Sequence, residues 1–235
     1  MPEQAREAEP HSSPLPGLLL VLSATTGLID AVSVLGLGKV FTANMTGNIV
    51  FLGFAAAGSP GFEPAPYLTA LGNFGLGAVI AGRLGRGFRQ RPLRQLLLFA
   101  ALLETALFWI AAAIAMQVDI PSLSPAWALH AIISLTAIAM GFRNATIRQL
   151  KVTDLTTTVL TLTFAGLAAD SAFSGGDSPN LARRIGAILA IFTGAAGGAL
   201  LVCHHGLAIP LAITGAIVLI ATFAAVRHPA ISMPL

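Results

Sequence analysis

Apolar residues in this chain run in long blocks and do not alternate with polar ones. The blocks are Leu18–Gly38, Met45–Ala57, Tyr67–Gly82, Leu96–Met116, Trp127–Phe142, Leu155–Ala169, Ile185–Cys203 and Leu207–Val226. A helix needs about 20 residues to cross the hydrocarbon core, with a lower limit near 17. Most blocks reach that length with their flanks and predict transmembrane helices. Two do not. Met45–Ala57 is preceded by Phe41-Thr-Ala-Asn-Met-Thr-Gly-Asn48, which runs into it, and Leu155–Ala169 opens through Val152-Thr-Asp-Leu-Thr-Thr-Thr158. Both lead-in segments are polar, so both blocks predict short helices that break or re-enter inside the membrane.

These lead-in segments repeat at a fixed spacing. Asn44 aligns with Asp154, Thr46 with Thr156 and Asn48 with Thr158. A second landmark follows each, since Phe74-Gly-Leu-Gly-Ala-Val-Ile-Ala-Gly82 resembles Phe192-Thr-Gly-Ala-Ala-Gly-Gly198. The chain divides into a tail (1–15), one membrane domain (16–227) made of half-repeats 16–117 and 125–227, and a short end (228–235). The tail carries Glu3, Arg6, Glu7 and Glu9 and predicts disorder. It lacks the basic leader and the cleavage site of a secretory signal.

Charge now decides the number of spans. With the Arg83–Arg94 cluster placed in the cytoplasm, eight crossings would leave Arg6, Arg183, Arg184 and Arg227 outside. If the two short blocks do not cross, only Lys39 of the 13 basic residues lies outside, which is what the positive-inside rule favours. This gives six spans, three per half, with both termini cytoplasmic. An odd number per half means that the halves enter the membrane in opposite directions, which is an inverted repeat. The expected fold is all-α: a polytopic bundle of about six spans plus two short helices.

Composition agrees and removes alternatives. Hydrophobic residues form 55% of the chain and charged residues 10%, against roughly a quarter charged in soluble domains. The net charge of +3 does not predict nucleic-acid binding, because the basic residues sit at block ends and not on one face. The single cysteine, Cys203, excludes an internal disulfide. With His204 and His205 it reads as a helix-end turn, since metal ligands at useful spacing are missing. No cofactor is expected. Nucleophile elbows, phosphate loops and zinc spacings are likewise missing from the sequence, so the chain is not expected to be an enzyme.

The polar residues inside the blocks carry the candidate chemistry. A helix that starts within lipid exposes N–H groups that lipid cannot satisfy. Asn44 and Asp154 are N-cap types suited to those groups. The plain reading stops there. The functional reading is a polar site where two opposed helix N-termini converge, suited to a small anion or polar solute. Asn44 and Asn48 share one face, and Asp154, Thr157, Thr158 and Thr161 share another. With Thr46 and Asn144 these are the expected substrate-binding residues.

Asp30 and Glu104 lie within spans, where acids are costly and mark interior or water-filled positions. Asp30 joins the site as a proton or cation group, and Glu104 is a weaker candidate. Arg143 can pair with Asp30 or Asp154, but reads first as a cytoplasmic interface anchor. His130, beside Trp127, reads as interfacial. Gly77-xxx-Ala81-xxx-Gly85 and Gly194-xxx-Gly198 are small-residue patterns for close helix approach, and they also suit a homo-oligomer face.

Gly27-Leu-Ile-Asp-Ala-Val-Ser33, Ala43-Asn-Met-Thr-Gly-Asn48, Gly141-Phe-Arg-Asn-Ala145 and Asp154-Leu-Thr-Thr-Thr-Val-Leu-Thr161 resemble the YoaK family of bacterial inner-membrane proteins. The resemblance covers nearly the whole chain beyond the tail. It implies a polytopic membrane protein of about six spans, and it brings no substrate or catalytic residue with it. The expected function is a small secondary transporter or channel-like permease; the alternative is a membrane-embedded assembly or regulatory factor. The expected partners are the lipid bilayer and a small solute.

Overall fold

The computed structural model describes residues 14–88, 91–150, 160–170 and 181–231. Within them are eight α-helices: α1 Leu15–Gly36, α2 Met45–Ala56, α3 Pro64–Gly87, α4 Leu93–Ala115, α5 Ala126–Leu150, α6 Leu160–Ala169, α7 Leu181–His205 and α8 Ala208–Val226. A 3-10 turn, Pro229–Ile231, follows α8. The expected tail lies almost wholly outside the described residues.

Prolines open several helices. Pro16 sits in the first turn of α1, Pro64 begins α3, and Pro92 precedes α4. These are positions where a missing N–H costs nothing. At the far end of α1 the chain turns through Gly38 and Lys39, both with positive φ, and Gly206 at φ 70° joins α7 to α8.

Five helices, α1, α4, α5, α7 and α8, are long and apolar enough to cross a membrane. α3 has 24 residues, and its lower hydropathy comes from six glycines and from Asn73, Arg83 and Arg86. By contrast α2 has 12 residues and α6 has 10. At about 1.5 Å per residue neither reaches across a core about 30 Å thick.

Large apolar side chains point outward from most of the long helices: Leu102, Trp109, Phe192, Leu200, Ile220 and Phe223 are all exposed. Spread this widely, they suit a lipid solvent and not one docking patch. Hydroxyls inside the helices bond back to the preceding turn, as in Ser23 to Leu19, Thr136 to Ile132 and Thr214 to Pro210. That leaves few polar groups for lipid to meet.

The helices pack in a pattern that survives exchange of the two halves. The most extensive contacts are α1 with α7 and α3 with α5, followed by α4 with α8. Exchanging α1 with α5, α2 with α6, α3 with α7 and α4 with α8 maps this set onto itself. Two weaker pairs obey it too: α4–α5 corresponds to α8–α1, and α2–α3 to α6–α7, whereas α7 touches α8 more than α3 touches α4.

Glycine contacts show how close the equivalence is. A Cβ on Gly27 would strike the carbonyl of Ile191, and one on Gly194 the carbonyl of Ala24. On the other pair, a Cβ on Gly77 would strike Ile138 and one on Gly141 would strike Phe74. In all four cases the carbonyl lies three residues before the opposing glycine. The small-residue patterns on α3 and α7 are therefore used for helix crossing, as their spacing predicts.

Directions follow from the same contacts. α1 and α7 run parallel, because Leu20 meets Gly186 and Leu28 meets Gly198. α3 and α5 run parallel, because Thr69 bonds His130, Asn73 bonds Ser134 and Ala81 bonds Gln149. α4 opposes α8, with Thr105 on Gly215 and Trp109 on Ala212. It also opposes α5, since Glu104 meets Arg143 while Leu97 and Leu150 share a cavity wall nearer the α4 start. The α1 start and the α5 end line that same cavity. Each long helix of the first half thus runs opposite to its counterpart, and the packing has the symmetry of an inverted repeat.

The two short helices close the scheme from opposite ends. α2 ends beside the start of α3, where Phe51 meets Tyr67 and Phe54 meets Phe62. α6 ends at Asp170, which pairs at 2.7 Å with Arg184 in the first turn of α7.

Candidate functional site

α2 begins below the end of α1, with Asn44 and Thr46 exposed to the space between the helices. Its N-cap is Asn44, whose Oδ1 accepts from the Gly47 amide at 3.4 Å. The preceding loop is pinned by Asn48, whose Oδ1 accepts from Phe41 N at 2.9 Å and whose Nδ2 donates to Phe41 O at 2.6 Å. The pinned loop brings Ala43 and Asn44 level with Asp30, six residues before the end of α1, or about 9 Å of helix rise. The backbone amide of Ala43 supports the Asp30 carboxyl.

A cavity of about 450 Å³ opens at this point, lined by Asp30 and Thr26 of α1, Asn44, Thr46 and Gly47 around the start of α2, and Thr161 at the start of α6. Val50, Phe51, Leu160 and Ile191 form its apolar wall. The N-terminal parts of α2 and α6, arriving from opposite ends of the bundle, therefore meet at one polar space.

Four of the expected residues, Asp30, Asn44, Thr46 and Thr161, line this cavity. Asn48 does not. It is fully buried and spends its amide on the Phe41 backbone, which makes it a loop fastener. Its spacing from Asn44 could not show that the Phe41 backbone folds back onto it while Asn44 stays exposed. Asn144 is also outside the lining, and its Nδ2 donates to the Met140 carbonyl at 2.9 Å. Asp154, Thr157 and Thr158 lie outside the described residues. Thr26, one turn before Asp30, is a lining residue that the sequence pattern did not single out; its i, i−4 relation to the acid was the available signal.

Arg143 is the main correction. It is 2% exposed and does not sit at an interface. Its Nε donates to Glu104 Oε1 at 2.6 Å, and its Nη1 donates to Thr25 Oγ1 at 2.9 Å, Leu22 O at 3.2 Å and Thr26 Oγ1 at 3.3 Å. One guanidinium therefore ties α5 to both α4 and α1. Thr26 touches both this network and the Asp30 cavity. Glu104, the weaker of the two acid candidates, is the one that is paired. His130 bonds the Thr69 hydroxyl at 3.1 Å, so it joins α5 to α3, while Trp127 stays exposed beside it. Cys203 is exposed at the end of α7.

Comparison with known proteins agrees with an apolar helical bundle that sits in a membrane. The family described as "Protein of unknown function (DUF1275)" matches residues 18–224. The "UPF0700 transmembrane protein YoaK" of Bacillus subtilis (strain 168) is 36% identical over 155 residues, which is 65% of this chain and 65% of that protein. The matched stretch thus spans a little under two thirds of the relative. No solved structure matches. With the family match running across all eight helices, and a relative named as a transmembrane protein, the chain belongs to the DUF1275 family and is a multi-pass membrane protein.

Proposed function

We propose that the chain is a small secondary transporter or channel-like permease for a small polar or anionic solute. In this reading it works as two inverted half-repeats, 16–117 and 125–227, and is not an intramembrane enzyme. One observation carries it: two helices too short to span start at a shared polar cavity, having entered from opposite ends of a lipid-facing bundle. Irregular backbone at that depth is tolerable only where it is buried or lines a cavity. Broken helices that meet at mid-depth between inverted repeats are the usual seat of a transported solute. The α2 N-terminus brings partial positive charge to the cavity, while Asn44, Thr46 and Thr161 offer amide and hydroxyl partners. A volume of about 450 Å³ suits a small molecule, since ligand pockets run from about 300 to 1,000 Å³.

The direct test is a solute screen on the purified protein by thermal stabilisation and by uptake into vesicles, since a ligand bound to the folded state must stabilise it. Asp30→Asn should abolish the uptake found while the protein stays folded and inserted. Uptake that survives in Asp30→Asn removes Asp30 from the site. A membrane assembly or regulatory role becomes the better reading if no solute from a broad screen either binds or crosses.

The same reading places the protein in the bacterial inner membrane with both termini cytoplasmic, supported by the Lys and Arg distribution. Removing buried Arg143 from the interfacial count leaves Lys39 as the one outlier. Reporter fusions after Arg94 and Arg227 should read cytoplasmic, and a fusion after Glu63 should read periplasmic. A periplasmic carboxyl terminus rules out this orientation.

A further inference from the structure

Among the charged side chains that break the exchange symmetry of the packing, three line the two cavities between the helices. The glycine crossings pair Gly27 with Gly141, so Arg143 stands where the first half has Ile29, and Asp30 where the second half has Asn144. Glu104 lies on α4, whose counterpart α8 has no ionisable residue. The scaffold common to the two halves therefore does without these charges. A buried ion pair is often no more stabilising than a well-packed apolar replacement, so packing alone gives no reason for the trio.

Its geometry gives one. Arg143 is held by Glu104, yet its Nη2 is buried without a hydrogen-bond partner, and Oδ1 of Asp30 is buried in the same condition. One unsatisfied atom thus belongs to a basic side chain and the other to an acidic one, and Thr26 lies in contact with the first residue and one turn from the second. Thr26 accepts from Arg143 Nη1 at 3.3 Å and lines the cavity with Asp30, and Asp30 follows it by one helical turn, a rise of about 6 Å. Beside the ion pair lies a smaller cavity of about 30 Å³, lined in part by Leu22, Glu104, Arg143 and Thr146. It lies toward the α1 start, whereas the Asp30 cavity lies toward the α1 end. Among the described residues lining the two cavities, Asp30, Glu104 and Arg143 are the ionisable ones.

We propose that Asp30 and Glu104 are alternating seats for one monovalent cation, the proton included, and that Arg143 always occupies the seat the cation has left. The proposal rests on the transporter reading above and names its coupling ion. In the state seen, Arg143 neutralises Glu104 and Asp30 is open to a cation from its cavity. When that cation leaves, Arg143 passes one turn along α1 to Asp30. Glu104 then faces the smaller cavity and takes a cation there. For a proton, the one released from the Asp30 carboxyl is matched by one gained on the Glu104 carboxylate. The network carries the same charge in both states. Because Arg143 stands between the seats, a cation cannot step directly from one to the other, which couples its passage to the conformational change.

Carbodiimide labelling of the purified full-length protein, read residue by residue in the mass spectrometer, tests this without any solute. The reagent modifies an unpaired carboxyl in apolar surroundings and spares one held by a guanidinium. In the unaltered protein Asp30 should label and Glu104 should not. In Glu104→Gln, Arg143 should move to Asp30 and labelling there should fall by about tenfold or more, the ratio equivalent to about 1.4 kcal/mol of added pairing. In Glu104→Gln with Arg143→Met, Asp30 should label again. Protection of Asp30 by sodium or potassium chloride assigns an alkali cation, and labelling indifferent to both salts assigns the proton. The proposal is overturned if Asp30 does not label in the unaltered protein, or labels equally in Glu104→Gln. It is also overturned if Glu104→Gln cannot fold, since Arg143 would then have no second partner. A failed solute screen would sink the transporter reading and leave the labelling result standing.

Discussion

Replacing both Asp30 and Glu104 by their amides should cost about 3–5 kcal/mol of stability, because Arg143 is then left buried with no acid to meet it. Glu104→Gln alone should cost much less, since the guanidinium has Asp30 one turn away. Asp30→Asn alone should cost little, because it leaves the 2.6 Å Arg143–Glu104 bond intact. The loss in the double variant should exceed the sum of the single losses by about 1–3 kcal/mol, as for groups that share one network. Unfolding by detergent titration in mixed micelles measures all three variants against the parent. Losses that add to within about 0.5 kcal/mol, the range for independent sites, would mean that Arg143 has Glu104 as its sole acidic partner.

The second large effect belongs to the crossings. Gly194→Leu should abolish the folded protein, because its Cβ would fall on the backbone of Ala24, and backbone cannot step aside as a flexible side chain can. Gly197, three residues on, has nothing within 4 Å of its Cβ position. Gly197→Leu should be neutral or stabilising, by up to about 1 kcal/mol from helix propensity. The exchange symmetry extends the test. Gly77→Leu should fail as Gly194→Leu does, while Gly75→Leu should behave like Gly197→Leu, since Gly75 also faces open space. Monodispersity on size exclusion and the thermal midpoint give the readout. A folded Gly194→Leu would show that the α1–α7 crossing can open enough to admit a side chain.

Much of this fold is written in one-dimensional patterns. Long apolar blocks mark the spans because lipid requires apolar surface on every side of a helix. The two short blocks announce themselves by length and by the Asn and Thr residues that open them. The half-repeat was also legible, although its landmarks sit one residue out of register. Phe74 and Phe192 open the two similar stretches, but the packing matches Gly77 with Gly194, and therefore Phe74 with Ile191. Sequence similarity follows residue identity, whereas packing follows the position of a missing Cβ.

The site was half legible. Asp30, Asn44, Thr46 and Thr161, singled out because polar groups in an apolar block need a reason to be there, line the proposed cavity. Asn48 was misassigned because the same reasoning cannot tell a group that faces a cavity from one that satisfies a neighbouring loop. Arg143 was misplaced for a similar cause. An arginine near the end of an apolar block is usually an anchor, and only the approach of α4 and α1 shows that this one is enclosed.

What the sequence determined by itself is what depends on the solvent: the class of protein, the length and number of its helices, and the places where backbone needs capping. Those follow from the transfer of each residue between water and lipid, a property a residue carries alone. What only the tertiary structure decided is who meets whom: glycine against carbonyl at two equivalent crossings, Asn48 on Phe41, and Arg143 on Glu104 with Asp30 one turn away. Such pairings join residues as far as 170 positions apart, as with Gly194 and Ala24 (194 − 24). They are fixed by the mutual fit of whole helices, which no single block contains.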